Sequence, residues 1–497
     1  MTTANPATTA ITAPCPPADG RTRDGVHDRI RDLLADHWPV LPALAAVVLL
    51  CVPAAPGPGG GGGGVHVTPA DAASAVLVLC CAVLALRTRT RPLDRTAVVV
   101  LAAPVAALAA ATVASHDTAS GLAGFARLLQ ILVLVPAALV IVLRSRRHAR
   151  LLAACLVGVA LVQGAVGVHQ YLTGTGASYQ GQDVRAVGTF GPLDIMGMSS
   201  TVSCGIVIAL AAGLAPPPGA PRWLRPAALS TAAALLVPLA LSFSRGAWIA
   251  TAAAGTAVLF LAGARSALRT LALLVAAGVV LVGGAGVGSD LVAERASSIT
   301  DVTDAPDQSV TDRYTMWAAA VEMWREDPVT GVGPKGFPEH RDTHASLALS
   351  SASDTAGAGQ DFHRQPLLSP HNMYLLVLAE QGLVGVTAVV GGWAALLVLG
   401  VRRLRRARAA DRGTGPGGTG RGADRGVDCG LVAVGLLVLN CVDFLYADIG
   451  GPSTVLTAVE FGLTAWWALA PAAVAGEPAG AHAGERAGEY SVKGAGR

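Results

Sequence analysis

The stretch SPHNMYLLVLAEQGLVGVTAVVGGWAALLVLG, residues 369–400, opens on a polar His371-Asn372 pair and then runs apolar to Gly400 with Glu380 as its one charged residue. A bilayer-spanning helix needs roughly 20 mostly apolar residues, so this segment reads as a membrane span with a histidine at its mouth. It follows the longest polar stretch of the chain. Histidine is the side chain best suited to move protons near neutral pH. At a membrane surface beside a polar domain, His371 is a candidate general base for chemistry done outside the bilayer; the alternative is an interfacial histidine without a chemical role.

Composition extends the membrane reading to the whole chain. Apolar residues make up 52% and charged residues 14% of the 497 residues, against about 25% charged in a soluble domain. The net charge of +3 is small, and the arginines gather in short loops. That pattern implies membrane lipids as partners and excludes a nucleic-acid surface. Of the eight cysteines, only Cys15 lies clear of apolar segments and none lies in the long polar loop. Neither a disulfide framework nor a zinc site is implied.

Twelve spans are expected: 38–55, 71–86, 97–114, 121–143, 151–171, 193–215, 227–243, 247–263, 269–288, 372–400, 429–446 and 453–472. The loops between them alternate. One set is basic (Arg21 to Arg31, Arg87 to Arg95, Arg144 to Arg150, Arg222 to Arg225, Arg265 to Arg269, Arg402 to Arg425), and the other is poor in Lys and Arg. Basic loops stay in the cytoplasm. The expected fold is therefore an all-α polytopic membrane protein of about twelve transmembrane helices, N-in and C-in, in the plasma membrane. Its parts are a cytoplasmic tail 1–37, membrane helices 38–288, one large extracytoplasmic loop 289–371 between helices 9 and 10, membrane helices 372–472, and a cytoplasmic tail 473–497.

This topology collects polar residues on the outer face. Arg245, in Leu241-Ser242-Phe243-Ser244-Arg245-Gly246, stands between two apolar helices. It is either an interfacial anchor or a guanidinium aimed at phosphate, which arginine binds bidentately. Residues 311–324 carry Tyr314, Trp317, Val321 and Trp324 at helical spacing. Arg313 sits in the first turn of that helix, where a cation opposes the dipole, and phosphate contact would explain it. Gly331-Val332-Gly333-Pro334-Lys335-Gly336 matches GxGxxG but follows a helix, so it reads as a tight turn rather than a nucleotide loop; Lys335 in it is a further cation that a phosphate could meet. His340, His344, His363 and Glu339 read as solvated loop residues rather than the alternative, a metal site, since no HExxH and no cysteine accompanies them, and 345–361 as a small, polar, mobile stretch.

Eleven residues separate His371 from Gly382, close to three helical turns. His371, Leu375, Leu378, Gly382 and Gly385 are thus expected to share a stripe open to a helix or a lipid chain. Glu380 falls on the opposite side, roughly 13 Å deeper, and is expected either to pair with an intramembrane arginine such as Arg127 or to stay protonated. Arg127 lies about two turns below the outer surface and can face an outward cavity. Glu460, Asp443 and Asp448 pose the same question as Glu380.

Several of these pieces together resemble the superfamily of O-antigen ligases and Wzy-type polysaccharide polymerases. The matching residues are Arg185-Ala186-Val187-Gly188-Thr189-Phe190, Ser242 to Ala247, Arg313 with Trp317, Asp327-Pro328-Val329-Thr330-Gly331-Val332-Gly333, and His371-Asn372 with Gly382-Leu383-Val384-Gly385. Where the family usually shows Pro-Asn after Gly-Thr-Phe, this chain has Gly191-Pro192-Leu193-Asp194. The resemblance implies a membrane glycosyltransferase of cell-envelope polysaccharide synthesis. It would move a glycan, with inversion and without metal or cofactor, from a polyprenyl-pyrophosphate carrier to an acceptor hydroxyl on a glycan, lipid or protein. His371 would be the base. Arg245 and Arg313 would hold the pyrophosphate, with Asn372 and Arg185 as further substrate contacts; Arg127 joins them as a candidate contact on its depth below the outer surface alone. The rival class is a transporter or flippase of lipid-linked sugars, which tends to place polar residues at mid-membrane and to show repeats. No repeat is visible here.

Overall fold

The computed structural model describes residues 38–53, 67–88, 93–115, 117–179, 185–263, 308–346, 349, 353–357, 360–365, 367–413 and 424–471. The expected span 269–288 and both tails lie outside these residues. The other eleven expected spans each coincide with a helix. In chain order these are α1 Trp38–Cys51, α2 Pro69–Thr88, α3 Arg95–Ala114, α4 Thr118–Val142, α5 Arg146–Thr173, α6 Gly197–Leu214, α7 Leu224–Leu241 and α8 Arg245–Ala262. After the polar segment come α11 Met373–Gly413, α12 Val427–Asp443 and α13 Thr454–Leu469. Eight of them, α2 to α8 and α11, are long and apolar enough to cross a membrane, and α1 and α13 are shorter apolar helices.

Side-chain oxygens set where several helices begin. Asp94 accepts from Ala97 N–H at 2.7 Å before α3, and Ser244 accepts from Ala247 N–H at 3.3 Å before α8. Each meets a backbone donor that the first helical turn leaves without an internal partner. Helices α6 and α12 are buried almost all round, as expected for helices apolar on every face. The α6 helix packs on α5, α7, α8 and α12, and α13 packs on α12, α11 and the second half of α4. Near the start of α5 and α12, Arg150 forms a double fork with Asp424 and Asp428 at 2.6–2.9 Å, which ties these two helix starts to one end of the bundle.

The polar segment folds onto the opposite end. It contains α9 Gln308–Glu326 and α10 Phe337–His344. Met316, Ala319, Ala320 and Met323 of α9 form a small core with Val332, Phe337, Leu367 and Ala379 of α11. Three short strands, β1 Ala177–Tyr179, β2 Ser353–Gly357 and β3 Gln360–Gln365, make an antiparallel sheet in the order β1-β2-β3 beside the helices. The 345–361 stretch, read from its composition as mobile, contains β2 and the first residues of β3.

The glycine stripe also needs correction. The α11 helix starts at Met373, so His371 stands outside it, and at Gly382 the helix breaks with φ 60° and ψ −161°, a conformation essentially confined to glycine. The break frees four backbone groups, and 328–333 satisfies them. Val332 and Gly333 N–H donate to the Ala379 and Glu380 carbonyls, both at 3.0 Å, while Leu383 and Val384 N–H donate to Pro328 and Val329 at 2.9 and 3.2 Å. The space beside Gly382 is filled by Val329 backbone rather than by a lipid chain. The Gly331–Gly336 turn is tight, as expected, and Gly331 and Gly333 both have positive φ.

Candidate active site

The turn 444–448, between α12 and α13, is the hub of the site. Met373 N–H donates to the Phe444 and Ala447 carbonyls at 2.9 and 3.0 Å. Asn372 Nδ2 donates to the Leu445 carbonyl at 3.1 Å, and its Oδ1 accepts from Leu375 N–H at 3.1 Å. Asn372 therefore caps α11 and binds it to the hub. On the other side, a Cβ on Gly246 would lie 2.8 Å from Cβ of Tyr446. Only glycine lets the Ser-Arg-Gly turn approach this closely, and that approach brings the exposed Arg245 at the start of α8 to the hub.

His371 sits in this assembly with φ 49°, the left-handed region that non-glycine residues seldom enter. The indole of Trp317 donates to the Pro370 carbonyl at 2.8 Å, which clamps α9 against the residue before His371. Arg313, one turn earlier on α9, and Asp448 of the hub both act on the imidazole. Burial, with Arg313 in support, holds His371 below the ordinary imidazole value of 6.5, and Asp448 pulls the other way. The net result is an imidazole that is neutral, and so able to accept a proton, at neutral pH. Among the described residues, the non-glycine positions with positive φ are Phe243, Lys335 and His371. Each lies in or beside a motif singled out by the sequence, and backbone strain of this kind concentrates at functional sites.

The Arg185–Phe190 strip joins the same end. Gln170 Oε1 accepts from Val187 and Gly188 N–H at 3.1 and 2.9 Å, and Gln163 Oε1 accepts from Thr189 N–H at 2.9 Å. Ala186 N–H donates to Leu241 at 3.1 Å, beside the turn that carries Arg245. Asp194 Oδ2 accepts from Ser453 N–H at 2.9 Å, so this acid braces the loop that starts α13. Burial raises its carboxyl above the ordinary range.

One expectation changes here. Arg127 does not pair with Glu380: its guanidinium meets Asp71 and Gln130. Asp71 in turn accepts from Thr68, and Ser74 accepts from Gln130. Glu380 Oε1 accepts from Phe337 N–H at 3.3 Å. Lys335 lies near both Glu380 and Arg127, and burial lowers its pKa. The Arg127 cluster is thus a second polar group, built on α2 and α4. In the polar segment, His344 Nε2 lies 3.0 Å from Glu326, and His340 Nδ1 lies 2.9 Å from the Gly336 carbonyl. No group of three or more His, Cys, Asp or Glu able to hold a metal ion occurs among the described residues. Asp448 is the residue the sequence left unassigned; an acid just beyond the end of a span was its only signal.

Comparison with known proteins bears on the same residues. The family model described as O-antigen ligase (Wzy_C) matches residues 230–390, about a third of the chain. The matched segment contains Arg245, Arg313, the 327–333 turn, His371 and Gly382, and it supports O-antigen ligase-like glycan transfer. No curated protein matches the chain.

Proposed function

From this similarity to the O-antigen ligase family over residues 230–390, we propose that the protein transfers a glycan from a polyprenyl-pyrophosphate carrier to an acceptor hydroxyl at the outer face of the plasma membrane. The observation that carries the reading is His371, on a left-handed turn, within electrostatic reach of both Arg313 and Asp448. Neutral His371 takes the proton of the acceptor hydroxyl, and the acceptor oxygen attacks the anomeric carbon. The bond from that carbon to the pyrophosphate breaks, and the electron pair leaves with the pyrophosphate. Arg245 and Arg313 hold the charge that develops there, the role a metal ion takes elsewhere. Asp448 steadies the imidazolium until the proton is lost. Asn372 positions the base through the hub, and Arg185 is a further contact for the substrate.

The test uses detergent-purified protein, an undecaprenyl-pyrophosphate glycan and a chelator. Wild type should release the carrier or lengthen the glycan, and His371→Ala or Arg245→Ala should reduce turnover by at least about a hundredfold. Turnover retained in His371→Ala would remove the base assignment, and a strict need for a divalent metal would remove the role of the two arginines.

A further inference from the structure

A cavity of about 60 Å3 opens behind the hub, between α6, α12 and α13. Asp194, Asp443, Asp448 and Glu460 line it, and no Lys or Arg does. The Asp194 carboxylate is engaged by Ser453, and Glu460 Oε2 accepts from Asn440 Nδ2 at 2.7 Å. The Cys204 thiol, a weak donor, also lies beside Glu460. Three oxygens remain: Asp443 Oδ1, Asp448 Oδ2 and Glu460 Oε1 are buried and have no hydrogen-bond partner among the described residues. Glu460 is only 4% exposed. A buried polar atom without a partner costs roughly 1–3 kcal/mol. In the ionised form all three oxygens are acceptors, so whatever satisfies them must bring donors.

Two features identify the ligand. Phe444, Ala447 and Asp448 line this cavity, and the Phe444 and Ala447 carbonyls accept from Met373 N–H, two residues beyond His371, so the cavity starts at the hub that anchors the base. The cavity's unpaired groups are carboxyl oxygens, and the other side of the hub carries Arg245, so the pyrophosphate belongs on the arginine side. We propose that this cavity is the acceptor subsite, taking the hydroxyl-bearing edge of a neutral or amino sugar and rejecting acidic sugars. The volume holds roughly four water-sized groups, which suits the exocyclic groups along one edge of a sugar ring, with the remainder of the acceptor outside. The proposal rests on the glycan-transfer reading and supplies its acceptor class.

The experiment compares methyl glucoside, methyl glucosaminide and methyl glucuronide as ligands of the purified protein, read as Tm shifts. The glucoside and the glucosaminide should raise Tm in wild type, and the glucuronide should not. The shifts should shrink in Glu460→Gln and in Asp443→Asn. In steady-state transfer, either variant should raise the acceptor KM about tenfold with a change of less than about twofold in the donor KM. An equal shift from the glucuronide, no shift from any sugar, or shifts retained in the variants would overturn the proposal and leave the cavity to water. The wild-type comparison decides even if a variant fails to fold. Donor cleavage by wild type is measured separately, so failure of the glycan-transfer reading shows there, while the Tm shifts still report on the cavity.

Discussion

Trp317 and Pro370 are joined by one hydrogen bond, from the indole N–H to the carbonyl at 2.8 Å. That bond couples the helix carrying Arg313 to the turn carrying His371. Trp317→Phe keeps an aromatic ring for the edge contact with Tyr314, whose centroid lies 5.5 Å away, but loses the donor. A neutral hydrogen bond is worth about 1 kcal/mol. Transfer should therefore fall about fivefold with no loss of folded protein, measured as turnover alongside gel filtration. Wild-type turnover in Trp317→Phe would show that the bond does not position the base.

The pH profile should separate the two neighbours of His371. Its pKa lies below 6.5, so the acid limb of kcat/KM should fall below that value. Asp448 favours the imidazolium, so Asp448→Asn should move the limb to lower pH. Arg313 opposes the imidazolium, so Arg313→Gln should move it to higher pH. Both variants lose rate, but their limbs should shift in opposite directions between about pH 5 and 8. Shifts of the same sign would mean that another group controls the profile.

Two glycines of α11 should respond with opposite signs. At Gly382 a Cβ would lie 2.3 Å from the Val329 carbonyl oxygen, with φ at 60°. Gly382→Ala should cost more than about 2 kcal/mol, seen as a lower Tm and a reduced yield of folded protein. At Gly391 a Cβ meets nothing within 4 Å, so Gly391→Ala should stabilise the helix by about 0.5–1 kcal/mol. A tolerated Gly382→Ala would mean that the helix can run unbroken and that the 328–333 bridge is dispensable.

Arg127 and Asp71 allow a double-mutant test. Removing one partner of a largely buried ion pair strands the other charge. Asp71→Asn and Arg127→Gln should each lower stability more than the two changes together. If Arg127 serves only this pair, the double variant recovers activity along with stability. If it also contacts substrate, as the sequence suggested, the double variant folds but transfers poorly, and the activity measurement distinguishes the two.

The sequence determined the membrane class and eleven helical segments, ten of them with ends close to those observed, while the helix expected over 372–400 runs on to Gly413; it also nominated the candidate base and arginines. These are local properties. In a bilayer each helix must satisfy its own backbone hydrogen bonds, so a span is written in consecutive apolar residues, and residue type nominates a proton carrier or a phosphate ligand. Tertiary structure decided what those residues do together. It paired Arg127 with Asp71 rather than Glu380, broke α11 at Gly382 and bridged it with 328–333. It also brought Asp448, 77 positions along the chain, to His371. None of this has a period or a spacing to read. Each follows from satisfying backbone groups and charges across distant segments, and only the packed chain specifies those partners.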